Sequence, residues 1–64
     1  MYSLVGQDGN AYNLMGYTAN ALKQTGHSDL CDKMFKEATS GDYHNLICVC
    51  QRYIDIANEG LEEG

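Results

Sequence analysis

The sequence has few basic residues, and this shortage restricts the partners that the chain can bind. Its 64 residues include nine acidic and four basic side chains, for a formal net charge of −5. A nucleic-acid-binding surface needs clustered Lys and Arg side chains to neutralise phosphates. We therefore expect no direct contact with nucleic acid. Surplus acidity most often serves solubility, and it also suits a basic protein partner.

Long apolar runs are also missing from the sequence. No stretch approaches the about 20 apolar residues of a transmembrane helix, and the N-terminus lacks the basic and apolar regions of a signal peptide. Three cysteines cannot all pair within one chain, and Cys48 and Cys50, two apart on a helix, point to nearly opposite faces. These absences predict a cytoplasmic protein with reduced thiols and no membrane contact.

The chain is short, so we expect residues 1–64 to form a single small domain. A domain of this size buries only about 60% of the surface that its unfolded chain exposes, and its stability is therefore marginal. Small domains often compensate by oligomerisation. The length thus favours a homo-oligomer.

The N-terminal residues predict a β-hairpin over residues 2–13. The pair Asp8-Gly9 lies between apolar residues and favours a type I′ turn, which needs positive φ at both central positions. A two-residue turn would place Val5 opposite Tyr12, and its outward N–H groups could form a nest for an anion. The expected fold class is therefore α+β, with a β-hairpin followed by a three-helix bundle.

Helical periodicity follows the hairpin in three segments. The expected helices and the frayed acidic tail cover residues 14–25, 29–39, 42–58 and 59–64. The cap residues that the pattern indicates are Asn13, Ser28, and Ser40 or Asp42, with Gly26 at C′ of the first helix.

The third helix has the widest apolar surface. Its stripe at 3-4 spacing comprises Tyr43, Leu46, Ile47, Cys50, Tyr53, Ile54 and Ala57. Val49 and Ile56 extend the apolar surface beyond this stripe. So wide an arc is difficult for a three-helix domain to cover with its own chain. Either the hairpin lies over Val49 and Ile56, or these residues form a subunit contact.

Two His–Cys pairs raise the question of a metal site. His27 and Cys31 are four residues apart, as are His44 and Cys48, and the two pairs could supply a tetrahedral imidazole–thiolate set. His27 precedes the second helix, Cys31 belongs to the core stripe, and no C-x-x-C motif is present, so we expect no metal and no cofactor. Cys48 with His44 lacks a third orienting group and a cleft, so we expect no enzymatic activity.

Four segments carry a resemblance that covers nearly the whole chain, namely residues 4–16, 19–22, 38–43 and 46–53. The most specific of them contains G-x-D-G-N-x followed by an aromatic residue. In these segments the chain resembles a group of small proteins encoded by bacteriophages, prophages and mobile elements of Gram-positive gut bacteria. The resemblance implies an accessory protein made during infection or element transfer, and such proteins often inhibit host defence. It carries over no functional residue.

Two binding functions follow for a phage-type protein of this kind, and we expect the first, with the second as its alternative. In the first, an oligomer sequesters a small anionic ligand, a signalling nucleotide of host defence. The candidate ligand-binding residues are Gly6, Asp8, Gly9 and Asn10 for phosphate, Tyr2, Tyr12 or Tyr17 for stacking on a base, and Lys23 or Arg52 for charge neutralisation. In the second, an acidic interaction module covers the basic surface of a nucleic-acid-binding host defence protein. A structural or regulatory phage protein is the third alternative.

Overall fold

The computed structural model describes residues 1–62, and over this range it contains three α-helices and no strand. Helix α1 spans Ala11–Gln24, a 3-10 turn spans Ser28–Leu30, α2 spans Cys31–Ala38 and α3 spans Tyr43–Glu62. Helix α3 packs on both α1 and α2, which also contact each other. The expected three-helix arrangement agrees with this structure, whereas the α+β class is wrong. Within the described range, no helix combines the length and apolar character that crossing a bilayer requires.

An irregular N-terminal segment, residues 1–10, stands in place of the hairpin predicted over residues 2–13. Its turn is closed by the Gln7 N–H, which donates to the Leu4 carbonyl at 3.2 Å. The positive φ falls on Gly6, at 85°, and Gly9 does not share it. The predicted type I′ turn at Asp8-Gly9 is therefore wrong, because neither of its central residues has the backbone conformation that this turn needs.

The polar residues of the supposed hairpin turn start α1 instead. The Asn10 Oδ1 accepts hydrogen bonds from the N–H groups of Tyr12 at 2.9 Å and Asn13 at 3.4 Å, so the N-cap is Asn10 and the predicted cap Asn13 is wrong. Asp8 Oδ1 accepts from the Asn10 N–H at 3.0 Å. Asp and Asn favour turns and helix caps for the same reason, since their short side chains bind nearby backbone N–H groups. Asp8 and Asn10 therefore bind N–H groups at the start of α1 and do not form a hairpin turn.

Helix α1 ends in a Schellman motif centred on Gly26, which has a φ of 82°. The Gly26 N–H donates to the Lys23 carbonyl at 3.4 Å, and the His27 N–H donates to the Leu22 carbonyl at 2.7 Å. The prediction of Gly26 at C′ is confirmed.

The later helix boundaries differ partly from those expected. Ser28 does not cap the second helix through its side chain, because it begins the 3-10 turn that precedes α2. Asp42 caps α3, its Oδ1 accepting from the Asn45 N–H at 2.9 Å. Helix α3 continues to Glu62, four residues beyond the expected end, so the tail predicted at 59–64 is helical as far as the structure describes it. Residues 63 and 64 lie outside the described residues.

The core lies where the three helices meet. Its buried apolar residues are Leu14, Met15, Ala19, Ala21, Leu22, Cys31, Met34, Ala38, Leu46, Val49, Cys50, Tyr53, Ile54 and Ala57. Leu22, Met34 and Ile54 are the largest apolar side chains that are completely enclosed. Thr18 is buried among them, and its hydroxyl donates to the Leu14 carbonyl at 2.8 Å. Burial of this stripe is the main stabilising contribution to the fold.

The buried arc of α3 is displaced from the predicted stripe. Val49 is only 3% exposed and belongs to the chain's own core, so it is wrong as a subunit contact. Ile56 is partly buried and packs against the same core. Tyr43 and Ile47, predicted to be buried, are 48% and 37% exposed. Helices α1 and α2 both pack on α3, whereas Tyr43 and Ile47 line an open groove between α3 and the N-terminal segment.

Candidate functional site

Polar side chains from α1 and α3 hold the N-terminal segment against the helices. Asn58 pairs with the backbone of Tyr2, since its Oδ1 accepts from the Tyr2 N–H and its Nδ2 donates to the Tyr2 carbonyl, both at 2.8 Å. The Tyr17 hydroxyl accepts from the Ser3 N–H at 2.9 Å, and its ring meets that of Tyr2 edge-on with centroids 6.0 Å apart. Tyr2 and Tyr17, predicted as stacking residues for a ligand, thus contact each other.

Tyr43, in the first turn of α3, holds the other end of the segment. Its hydroxyl donates to the Gly9 carbonyl. A Cβ added to Gly9 would lie 3.1 Å from the Tyr43 hydroxyl oxygen, which is tighter than ordinary van der Waals contact. Gly9 is therefore suited to this position by the close approach of Tyr43, and not by a positive φ.

Two open grooves share Tyr43 as a wall. Groove 1 has a volume of about 340 Å³ and lies at the start of α1, the end of α2 and the start of α3. Groove 2 has a volume of about 270 Å³ and lies between the N-terminal segment and α3. Groove 1 is lined by Ala11, Tyr12, Met15, Ala38, Thr39, Gly41, Asp42, Tyr43 and Leu46. Groove 2 is lined by Leu4, Val5, Gln7, Gly9, Leu14, Tyr43, Ile47 and Gln51.

Large apolar side chains are exposed along both grooves. Val5 is 89% exposed and Tyr12 is 82% exposed, and the half-exposed Tyr43 and Ile47 lie between them. We call these four residues the apolar surface. Single exposed apolar residues are ordinary, but a group of them around concave grooves is typical of a binding site.

The charged side chains next to the apolar surface are acidic. Asp42 lines groove 1, and Asp8 adjoins Gly9, which lines groove 2. No Lys, Arg or His is found among the described residues that line either groove. The four basic residues of the chain lie in the last turn of α1, on α2 and in the middle of α3. Among the described residues that line the two grooves, the one charged side chain is thus the carboxylate of Asp42.

The residues predicted to hold a nucleotide do not form one site. The turn residues, from Gly6 to Asn10, lie before the start of α1, whereas Lys23 lies in its last turn, about 20 Å farther along the helix axis. Arg52 Nη1 lies 3.7 Å from the Glu37 carboxylate on α2. Neither cation therefore joins the turn, and of the predicted aromatic side chains only that of Tyr12 lines a groove.

Sequence reasoning missed the contribution of Tyr43 and Ile47 to this site. Both residues match the helical apolar period of α3, which is why they were expected in the core. Periodicity places a residue on the apolar side of a helix, but it does not show how much of that side the rest of the chain covers. Their exposure follows from the position of the N-terminal segment, which the sequence did not predict.

A polar cluster joins α2 to α3. The Tyr53 hydroxyl donates to the Glu37 carboxylate. The backbone carbonyl of Glu37 also accepts a hydrogen bond from Asn45 Nδ2 at 2.9 Å. Burial raises the pKa of Tyr53, and the hydrogen bond and negative charge of Glu37 raise it further, while Arg52 lowers it. The cluster is a structural contact between helices.

The three cysteines differ in exposure. Cys31 is buried, and its thiol donates to the Ala19 carbonyl at 3.6 Å. Cys50 is buried, and this burial raises the pKa of its thiol, an effect that the Thr18 hydroxyl partly offsets. Cys48 is exposed. Thiolate chemistry at the surface is therefore open to Cys48.

The exposed thiol has a histidine as its neighbour. Cys48 Sγ lies 3.6 Å from His44 Nε2, one helical turn away. The second pair considered for a metal site, His27 and Cys31, does not join them, and no group of three or more potential metal ligands occurs in the part of the chain that the structure describes. The four residues therefore do not assemble into one metal site within a single chain.

Comparison of the chain with family models, with curated proteins and with solved structures finds no match in any of the three. The geometry of the chain itself therefore carries the functional conclusion. It offers two apolar grooves, one of them lined by the Asp42 carboxylate, and, outside both grooves, an exposed thiol–imidazole pair.

Proposed function

We propose that the chain is a non-enzymatic interaction module that binds a basic, amphipathic segment of another protein on its apolar surface. The observation that supports this proposal is the combination of exposed apolar side chains with groove linings that include the carboxylate of Asp42 and no basic side chain. An amphipathic helix docks by inserting apolar side chains into such grooves.

The two grooves supply the attractive contacts. Each is large enough for an aliphatic or aromatic side chain of the partner, and Tyr43 between them offers an aromatic edge to both. Complete burial of one such side chain contributes about 1.5–3 kcal/mol. Two anchors of this kind, spaced by Tyr43, match the small clusters of side chains that dominate binding energy at protein interfaces.

The acidic border selects the charge of the partner. Asp8 and Asp42 would attract Lys or Arg side chains placed around the partner's apolar anchors, and the net charge of −5 would steer a basic protein toward the chain. The same charges oppose self-association through this surface, because a second copy would bring its own Asp8 and Asp42 to the interface. The basic partner is therefore favoured over a homo-oligomer at the grooves.

The resemblance to phage and mobile-element proteins gives the partner a biological class. A protein made during infection would meet host proteins, and a nucleic-acid-binding defence protein carries the basic surface that this site requires. We therefore propose inhibition of such a host protein by occupation of its basic surface. Sequestration of a signalling nucleotide is less favoured, since Lys23 and Arg52 lie away from the predicted phosphate turn.

Peptide binding tests the proposal directly. Two dye-labelled helical peptides would share one apolar face and carry either Lys and Arg or Glu on the polar face, and fluorescence anisotropy would measure their affinities. We expect the basic peptide alone to bind. Val5→Ser and Tyr12→Ser should each weaken it at least tenfold. Phe35→Ser is the matched control, because Phe35 is an exposed apolar residue of α2 that lines neither groove.

Other results would contradict the module. Equal binding of both peptides would show that the charge of the partner does not matter. If Phe35→Ser weakened binding as much as Val5→Ser and Tyr12→Ser do, the grooves would not be the binding site. A melting temperature that rises with cyclic dinucleotides or ADP-ribose derivatives, without peptide binding, would favour nucleotide sequestration. Dimer formation that Val5→Ser abolishes would assign the surface to a second copy of the chain.

A further inference from the structure

We infer that His44 and Cys48 form half of a zinc site, which a second copy of the chain completes. This site is separate from the interaction module, because neither residue lines groove 1 or groove 2. It requires a soft divalent cation and two copies of the exposed face of α3 that carries the pair.

The distance between the two ligand atoms fits a zinc ion. Cys48 Sγ and His44 Nε2 lie 3.6 Å apart. Zinc–sulfur and zinc–nitrogen bonds of about 2.3 and 2.0 Å at a tetrahedral angle place the two ligand atoms about 3.5 Å apart. The side chains are thus already spaced as two corners of a zinc tetrahedron. Ligands four residues apart on a helix are a known zinc-binding arrangement.

Exposure makes the pair available to a second copy. Both residues are exposed, and they project from the first half of a 20-residue helix. Within residues 1–62 no third ligand joins them, so one chain supplies only two corners. A two-fold related copy would supply the other two and complete a Cys₂His₂ set, the composition of many structural zinc sites.

The charge balance also favours this assembly. Each Cys48 thiol releases its proton to solvent on binding, so two thiolates neutralise one Zn²⁺ and the two imidazoles bind as neutral ligands. The bound site therefore adds no net charge to two acidic chains.

Metal titration of the full chain in a phosphine reductant tests the inference. We expect Zn²⁺ to double the 7.1 kDa mass in light scattering, at one ion per two chains. Co²⁺ should give the absorption of a tetrahedral site with thiolate ligands. Cys48→Ser and His44→Ala should each weaken dimerisation at least tenfold, while the matched control His27→Ala should leave it unchanged.

Several results would overturn the site. They are absence of zinc binding at tens of micromolar, binding of one ion per chain without dimerisation, and dimerisation that persists in Cys48→Ser. Peptide binding by His44→Ala separates this inference from the proposed function. The variant should bind the basic peptide normally, so failure of the zinc site and failure of the module would be distinguishable.

Discussion

The N-terminal segment and the three-helix bundle are stabilised by different kinds of contact. The bundle is stabilised by buried apolar side chains such as Leu22, Met34 and Ile54, which recur along the sequence at helical spacing. The segment packs Tyr2 and Leu4 against the edge of this core and depends in addition on hydrogen bonds to single distant side chains. The Tyr2 N–H, for example, donates to Asn58, 56 positions away. Local sequence patterns therefore predict the helices of the bundle, whereas they carry no signal for contacts between residues as distant as Tyr2 and Asn58.

Truncation of a core side chain should have the largest effect. Ile54 is 1% exposed, so Ile54→Ala should cost about 2–5 kcal/mol through lost burial and a residual cavity. Such a loss is enough to unfold much of a marginal domain. Urea denaturation followed by circular dichroism measures it.

Ile47→Ala is the matched control within the same helix. Ile47 is 37% exposed, so its truncation should cost about 1 kcal/mol or less. If Ile47→Ala and Ile54→Ala lost equal stability, the assignment of Ile54 to the buried face of α3 and of Ile47 to the exposed face would be wrong.

Release of the N-terminal segment should have an intermediate effect. Asn58→Ala removes both hydrogen bonds to the Tyr2 backbone, at about 0.5–1.5 kcal/mol each. We expect NMR resonances of Leu4 and Val5 to move toward disordered values while helical circular dichroism is retained. Asn20→Ala, at an exposed position of α1, is the control and should change neither. Loss of helicity in Asn58→Ala would show that segment and bundle are not separable.

The cap of α1 should contribute less. Asn10→Ala removes the oxygen that binds the N–H groups of Tyr12 and Asn13, and it should cost about 1 kcal/mol. Asn10→Asp should restore most of that loss, because a carboxylate caps equally well. Asn13→Ala should cost less, and urea denaturation of the three variants measures these differences. A larger stability loss in Asn13→Ala than in Asn10→Ala would show that α1 begins at Asn13 and not at Asn10.

The smallest effect should appear at alkaline pH. The folded state raises the pKa of Tyr53 above 10.0 and that of Cys50 above 9.0, so both groups keep their protons longer than in the unfolded chain. The stability that these two groups contribute is fully present below their pKa values in the unfolded state. It is lost as the pH rises through their pKa values in the folded state. Urea midpoints should decline above about pH 9, and Tyr53→Phe should make that decline shallower. An unchanged slope in this variant would exclude Tyr53 as a cause.

The helices could be predicted because their signals are local. Gly26 marks the end of α1 through its positive φ, Asp42 marks the start of α3, and the buried period fixes Leu46 and Ile54. The run Asp8-Gly9-Asn10 could not be assigned in the same way, because its residues suit a hairpin turn and a helix cap alike. Only the complete fold distinguishes the two.

The candidate site was less predictable than the fold. Tyr12 was expected to face a ligand, and it does line a groove. Tyr43 and Ile47 were expected in the core, because their exposure depends on where the N-terminal segment lies. The opposite error affected Val49, which is buried in the core although it lies outside the predicted stripe.

The contact between Asn58 and Tyr2 also sets the order of assembly. Closing a loop of this length costs more chain entropy than forming neighbouring helices, so the segment should dock last and open first. Leu4, Val5, Gln7 and Gly9 form one wall of groove 2, which therefore exists only while the segment is docked. Groove 1 is built from the bundle and its linker and needs no such step. A ligand of groove 2 would lose affinity in proportion to the undocked fraction, so Asn58 would tune its binding from outside the groove.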